Sequence, residues 1–258
     1  MFRRTTRSLL AVGATLAVVL GACASAPAAP ALTDPKEILT KAAVSVKDVK
    51  TFEVTGGFSG TANVPQFGSF DLSTVKVVGA FDVPNKKAKI SVDAPTLLGT
   101  KIDALVIDQV AYYKVAGPLA MTLQASADKY TKMPVPSDAG DPVADATDVA
   151  KLTADMQAAL DKLPSAPVKQ ADDKCGDQDC YHVTIAMTAD QLKALQPTSS
   201  ISGDVSVDVW TLKSNYRPAK LAITAATPEM GNFGFTLDLK YDTSVAIDAP
   251  AADQLVNP

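Results

Sequence analysis

Apolar positions three and four apart, then two apart, divide the chain into stretches of different character. After Asp34, residues Ile38, Leu39, Ala42, Ala43, Val46 and Val49 share one helical face, with Lys36, Glu37, Lys41, Lys47 and Asp48 opposite. Asp34-Pro35-Lys36-Glu37 supplies the start: an N-cap acceptor, a proline at the first helical position and an acid in the first turn. From Thr51 to Met133 the period becomes two. Phe52, Val54 and Phe58 alternate with Glu53 and Thr55, and Lys87 to Asp93 alternates strictly. Phe70–Asp82, Ile102–Ile107, Val110–Val115 and Lys129–Met133 bring the count to about six strands, divided by Pro84-Asn85, Leu98-Gly99 and Gly117-Pro118.

A loop over Pro134–Asp141 leads into a second helix, expected over Pro142–Leu163, with Val149, Leu152, Met156, Ala159, Leu160 and Leu163 on one face. Val168–Met187 reads as a hairpin. Thr188-Ala189-Asp190-Gln191 is a capping box that opens a short helix to Gln196, stopped by Pro197. Long strands follow at Gly203–Lys213, Ala219–Ala226 and Asn232–Ile247. Segregated helices and closely spaced strands imply an α+β fold built on one antiparallel, strongly curved sheet of about ten strands. Each strand is apolar on one side only, so one face of the sheet is wet and the other greasy.

Composition narrows the function. Hydrophobic residues make up 47% and charged residues 20%, a globular balance. The formal charge of −4 argues against nucleic-acid binding. No apolar run after the N-terminus approaches the roughly 20 residues of a membrane span. One His and three Cys leave little material for metal or nucleophilic chemistry.

The N-terminus reads as an address and an anchor. Arg3, Arg4 and Arg7 precede the 13-residue apolar run Ser8–Leu20, which ends in Leu20-Gly21-Ala22-Cys23. Small residues before a Cys at this place form a bacterial lipoprotein signal: residues 1–22 are expected to be removed and Cys23 acylated. Diacylglycerol and palmitate-like chains on Cys23 would hold the protein on the outer side of the cell membrane, within the envelope. Losing three Arg leaves 21 basic against 28 acidic residues, so the body is acidic and its membrane contact is assigned to the lipid. Residues 23–33 form a Pro/Ala tether able to reach on the order of 30 Å, and 34–258 one domain.

Candidate chemistry is sparse. Cys175 and Cys180 lie in the hairpin, and an exported compartment permits their disulfide. His182 shares a strand face with Cys180 and lies near Asp177 and Asp179. The pattern fits a solvent-facing histidine and a solvated acidic turn (Asp172, Asp173, Asp177, Asp179) better than a metal site. Gly57-Phe58-Ser59-Gly60-Thr61 approaches the nucleophile-elbow pattern but lacks its last Gly and sits at a strand end. Trp210 occupies the polar parity of its strand, either at the mouth of a cavity or beneath a crossing loop. No catalytic residue, metal ligand or cofactor is assigned.

The greasy side carries the functional expectation. Helix faces of Ala, Val and Leu, with 6% aromatic residues in the chain, leave room between a curved sheet and its lid. Such a slot suits acyl chains at roughly 0.8 kcal/mol per buried methylene. The expected lining is Val46, Val54, Phe58, Ile90, Val92, Val106, Met156, Leu160, Val183, Ile185, Val207, Ile223, Phe235 and Leu237. The competing expectation is a packed core.

Cys23, the opening helix Ile38–Ala43, the passage Val49–Val54 into the first strand, Leu105–Lys114 with Tyr112-Tyr113, and the closing strands together resemble the LppX/LprA/LprF/LprG family of lipoproteins, relatives of the carrier LolA. That resemblance covers the chain from Asp34 onward and implies a half-barrel of antiparallel strands with helices over the concave face, enclosing an apolar cavity. It implies a monomeric, non-enzymatic LolA-like protein that holds di- or triacylated lipid or glycolipid and moves it across the envelope. The alternative is a tethered protein-interaction or sensor module without a ligand.

Overall fold

A computed structural model describes residues 31–64, 68–135, 149–195, 201, 203–227 and 231–256. The expected signal segment, Cys23 and most of the tether therefore lie outside the described residues. So do the loop after Val135, the expected helical start over 142–148 and the stop at Pro197. Thr33–Pro258 forms a compact unit.

Helix α1 (Pro35–Ser45) begins as its sequence dictates, with the Asp34 carboxylate accepting from the Lys36 amide at 2.8 Å. It ends four residues before Val49, because Ser45 donates to both the Ala42 carbonyl and the Tyr216 carbonyl and the chain turns into the sheet. The strands are β1 (Thr51–Val64), β2 (Gly68–Asp71), β3 (Lys76–Asp82), β4 (Lys87–Ala94), β5 (Thr100–Ile107), β6 (Val110–Ala116), β7 (Thr131–Pro134), β8 (Val168–Lys169), β9 (Asp173–Cys175), β10 (Gln178–Met187), β11 (Val205–Leu212), β12 (Pro218–Thr227) and β13 (Gly231–Tyr241). Among the described residues the other α-helices are α2 (Leu119–Thr122), α3 (Val149–Asp161) and α4 (Ala189–Leu195).

All pairings between these strands are antiparallel, in the order β7-β6-β5-β4-β3-β1-β13-β12-β11-β10-β8, with β2 on β1 and β9 on β10. Strands β3 to β7 walk outward from β1 on one side. The chain then crosses through α3, and β10 to β13 walk back to β1 from the other edge. The sheet stays open, an α+β arrangement consistent with a half-barrel.

Three stretches differ from expectation. The run Phe70–Asp82 is broken by a 3-10 turn at Leu72–Thr74, capped by Asp71 on the Ser73 amide, and its first two residues belong to β2, which pairs with the end of β1. Helix α2 follows the Gly117-Pro118 turn. The last strand ends at Tyr241, where Asp242 adopts φ 55°, and the chain leaves the sheet. Its continuation brings Ile247 into a buried cluster with Leu105, Ile107 and Tyr112, flanked by Ala80, Val110, Tyr130 and Leu255. Leu255 pairs in parallel with Tyr130, whose amide donates to the Gln254 carbonyl at 2.8 Å. Leu105, Ile107 and Tyr112 lie on the polar parity of β5 and β6, so the C-terminal segment covers apolar residues on the outer face.

Candidate functional site: the apolar face of the sheet

Strand register places the expected strand residues on one face. Ile185, Val207, Ile223, Phe235 and Phe58 form a cross-strand row over five strands. A second row runs Val183, Val209, Leu221, Leu237, Gly56, Val77, Val92, Ile102 and Val115. Val54 and Ile90 belong to a third, through Gly79. Aromatic pairs reinforce the face: Phe52 stacks on Phe81 at 4.4 Å and Phe58 tilts against Phe235 at 4.6 Å between centroids. Glycines 56 and 79 are covered by neighbours, since a Cβ there would lie 2.7 Å from Leu237 Cδ2 and 2.8 Å from Val54 Cγ2.

Depth of burial along these rows runs opposite to that of a solid core. At the β10–β11 end, where α1 packs, Val183 is 0% exposed, and Ile185, Val205 and Val209 are buried. Ile38, Leu39, Ala42 and Ala43 of α1 are buried too, and α3 backs α1, with Thr153 donating to the Ala43 carbonyl. Towards the middle of the sheet Val54, Phe58, Val92, Val207, Phe235 and Leu237 are only half-buried. Ile90 and Ile223 are 39% and 38% exposed. Thus α1 and α3 cover the β10–β11 flank, Val115 is buried at the β6 end beside α2, and the centre of the greasy face between them stays accessible.

Of the expected helical contributors, Val46 is half-buried at the end of α1 and Met156 is exposed on α3. Leu160 lines a depression of about 360 Å³ between the α1 start and the segment after α3. Val106 lines another of about 300 Å³ with Asn85, Lys86, Asp108 and Gln109. A cavity of about 850 Å³ lies at one end of β10 to β13 and β1 and contains none of the expected residues. Met187, Val205, Ala225 and Phe233 bring apolar surface to it, while Ser59, Thr188, Gln191 and Asp204 bring polar groups. Its size falls within the range of small-molecule sites. Strand ends and the capping box of α4 build it: the Gln191 side chain accepts from the Thr188 amide at 2.9 Å. This cavity escapes sequence reading because its residues come from both strand parities.

The polar outer face holds the remaining candidates. His182 is not simply solvent-facing: it stacks on Trp210 at 4.3 Å and its Nε2 lies 2.8 Å from Asp208 Oδ1, which also accepts from Thr184. Trp210 Nε1 donates to Asp173 and Lys220 sits 4.6 Å over the ring, and Trp210 does not line the 850 Å³ cavity. The acidic turn is matched by lysines. Asp172 bridges Lys169 and Lys213 at 2.6 and 2.5 Å, and Asp179 pairs with Lys174. Hydrogen bonds from Lys169 and then Lys213 hold the Asp172 carboxyl below its ordinary range. The Lys174 amide and the Trp210 indole do the same for Asp173. On the apolar-face parity, burial pushes the Tyr241 phenol up, opposed by Arg217. Cys175 and Cys180 are joined in a disulfide. No group of three metal-ligating side chains occurs among the described residues.

Ser59 sits inside β1, paired with Gly234. His182 lies four strand spacings away on β10, roughly 19 Å along the sheet, too far to activate it. No described helix is long and apolar enough to cross a membrane.

No protein-family model matches the chain, and no curated protein matches it significantly. Among solved structures, the crystal structure of LprF from Mycobacterium bovis superposes with a TM-score of 0.55 at 15% identity, covering 84% of this chain and 97% of that one. The Mycobacterium tuberculosis lipoprotein LppX gives a TM-score of 0.49 at 13% identity, over 83% and 98%. The chain therefore has an LprF-like fold.

Proposed function

We propose that this protein is a non-enzymatic carrier that holds the acyl chains of a lipid or glycolipid against the apolar face of its sheet. One observation carries the reading: along the first cross-strand row exposure rises from Ile185 at 9% to Ile223 at 38%, towards the centre of the sheet. A folded sheet gains its stability by burying that centre, so leaving it accessible forgoes hydrophobic stabilisation that a hydrocarbon ligand restores. The surface offers aliphatic and aromatic groups without a fixed array of donors, so selectivity falls on chain length and number more than on headgroup. The LprF-like fold supports the same reading. Acylation of Cys23 and the Pro/Ala tether would keep the carrier on the outer side of the cell membrane, with transfer across the envelope as its task.

Ile223→Asp and Phe235→Asp place charge in the middle of the face without touching Val183 or α1. A fluorescent acyl probe is expected to bind the parent protein and to lose at least about tenfold in affinity in either variant, since each burial is worth roughly 1.5–3 kcal/mol. Equal binding in all three would place the ligand elsewhere. Absence of binding in the parent would favour a tethered interaction module.

A further inference from the structure

The end of the sheet that carries the 850 Å³ cavity also carries an exposed apolar tip. Strand register identifies that end: the finish of β1, β4, β6, β10 and β12 and the start of β3, β5, β11 and β13. Two turns project there, residues 95–99 between β4 and β5 and residues 117–125 around α2. They are adjacent, because a Cβ on Gly117 would lie 3.0 Å from Thr100 Cα. Leu98 is 58% exposed, Leu119 44%, Met121 85% and Leu123 48%. Leu98 holds φ 56°, a left-handed conformation that a branched side chain adopts at a cost. Hydrogen bonds hold both turns in shape: Gly99 to the Pro95 carbonyl, Leu123 to Leu119 and Ala125 to Ala120.

Charge singles out the same place. The chain has 28 acidic residues, yet 94–102 and 115–127 contain none. An anionic or zwitterionic lipid surface therefore meets no carboxylate on these turns. The direction of the chain agrees. α1 starts at this end: Lys36 pairs with Asp161 of α3, and Ser165, just beyond α3, donates to the Ala186 carbonyl where β10 finishes. Its last turn, with Ser45 bonded to the Tyr216 carbonyl, lies at the other end. The residues that lead into α1 thus join the body on the side where the tip projects.

We propose that the turns 95–99 and 117–125 form a docking tip that enters the interfacial layer of a lipid bilayer, with Leu98, Leu119, Met121 and Leu123 as the inserted side chains. Four partly exposed apolar side chains bind a bilayer weakly alone and effectively once a tether raises their local concentration. Docked there, the strand-end cavity faces the bilayer, giving acyl chains a short route between membrane and sheet. This rests on the lipid-carrier reading for its purpose, but not for its test.

A form running from Ala24 to Pro258, which contains the whole compact unit, is anchored by an N-terminal polyhistidine tag to phosphatidylcholine/phosphatidylglycerol vesicles carrying a nickel-chelating lipid. This keeps the tether in place whether or not Cys23 is acylated in the cell. An environment-sensitive fluorophore is placed on Met121→Cys, or on Asn85→Cys in the β3–β4 turn at the opposite end. At position 121 a blue shift and quenching by spin-labelled lipid are expected, and at position 85 neither. Adding Leu98→Asp and Leu119→Asp to the first variant should abolish its quenching with an unchanged circular dichroism spectrum. Equal quenching at both positions, or none at 121, overturns the docking tip. Acyl-probe uptake without vesicles is read separately, so failure of the carrier reading leaves a distinct signature.

Discussion

Val183 and Ile223 have the same parity on strands two apart, yet one is fully buried and the other is not. The difference lies in what covers them, α1 over β10 and β11 against an accessible centre. Val183→Ala is therefore expected to lower stability by on the order of 2 kcal/mol, because a void opens under packed neighbours. Ile223→Ala should cost less than about 1 kcal/mol, because its side chain is already partly solvated. Urea denaturation of both variants checks this, and equal costs would mean that the face is sealed. Parity was legible in the alternation of Val205, Val207 and Val209 with Ser206 and Asp208. Depth was not, because it depends on elements far away in sequence. For the same reason His182 reads as a surface residue in isolation, although Trp210 and Asp208 cover it.

Elements with strong local chemistry were legible in nearly their full extent. Asp34-Pro35 starts α1, and the strict alternation over Lys87–Asp93 is β4. The C-terminal segment was not legible as such, because Asp242 to Ile247 continues an alternating pattern after β13 has ended. The left-handed turn at Asp242, hydrogen bonds from Thr51 to the Thr243 carbonyl and from Lys87 to the Ile247 carbonyl, and the apolar patch of Leu105, Ile107 and Tyr112 redirect it. That patch gives the segment an apolar seat on the outer face. Leu255→Asp puts a charge against it and should detach the end of the chain from Tyr130, just before β7. The expected result is faster amide exchange at Tyr130 and Val256, whose amides bond across this junction, with β10 to β13 still protected. Unchanged exchange would mean that the hydrogen bonds alone hold the segment.

On the scale of the whole molecule, an open sheet is packed by α1 and α3 on one flank, and on the other by the short α2 and, on its back, by the chain's own C-terminus. Its central greasy face is left accessible, as is a tip at one end. Pattern alone revealed a sheet greasy on one side but not which part stayed uncovered, since helix faces of Ala, Val and Leu are compatible with either a lid or a bracket. That uncovered surface is the proposed seat for hydrocarbon. The most direct measurement is organic extraction of the purified Ala24–Pro258 form, isolated from a lipid-containing host without detergent, followed by mass spectrometry of the extract against protein concentration. A stoichiometric acylated lipid, displaced in Ile223→Asp, is the predicted result. A protein that carries none and takes up none when lipid is supplied would contradict the account.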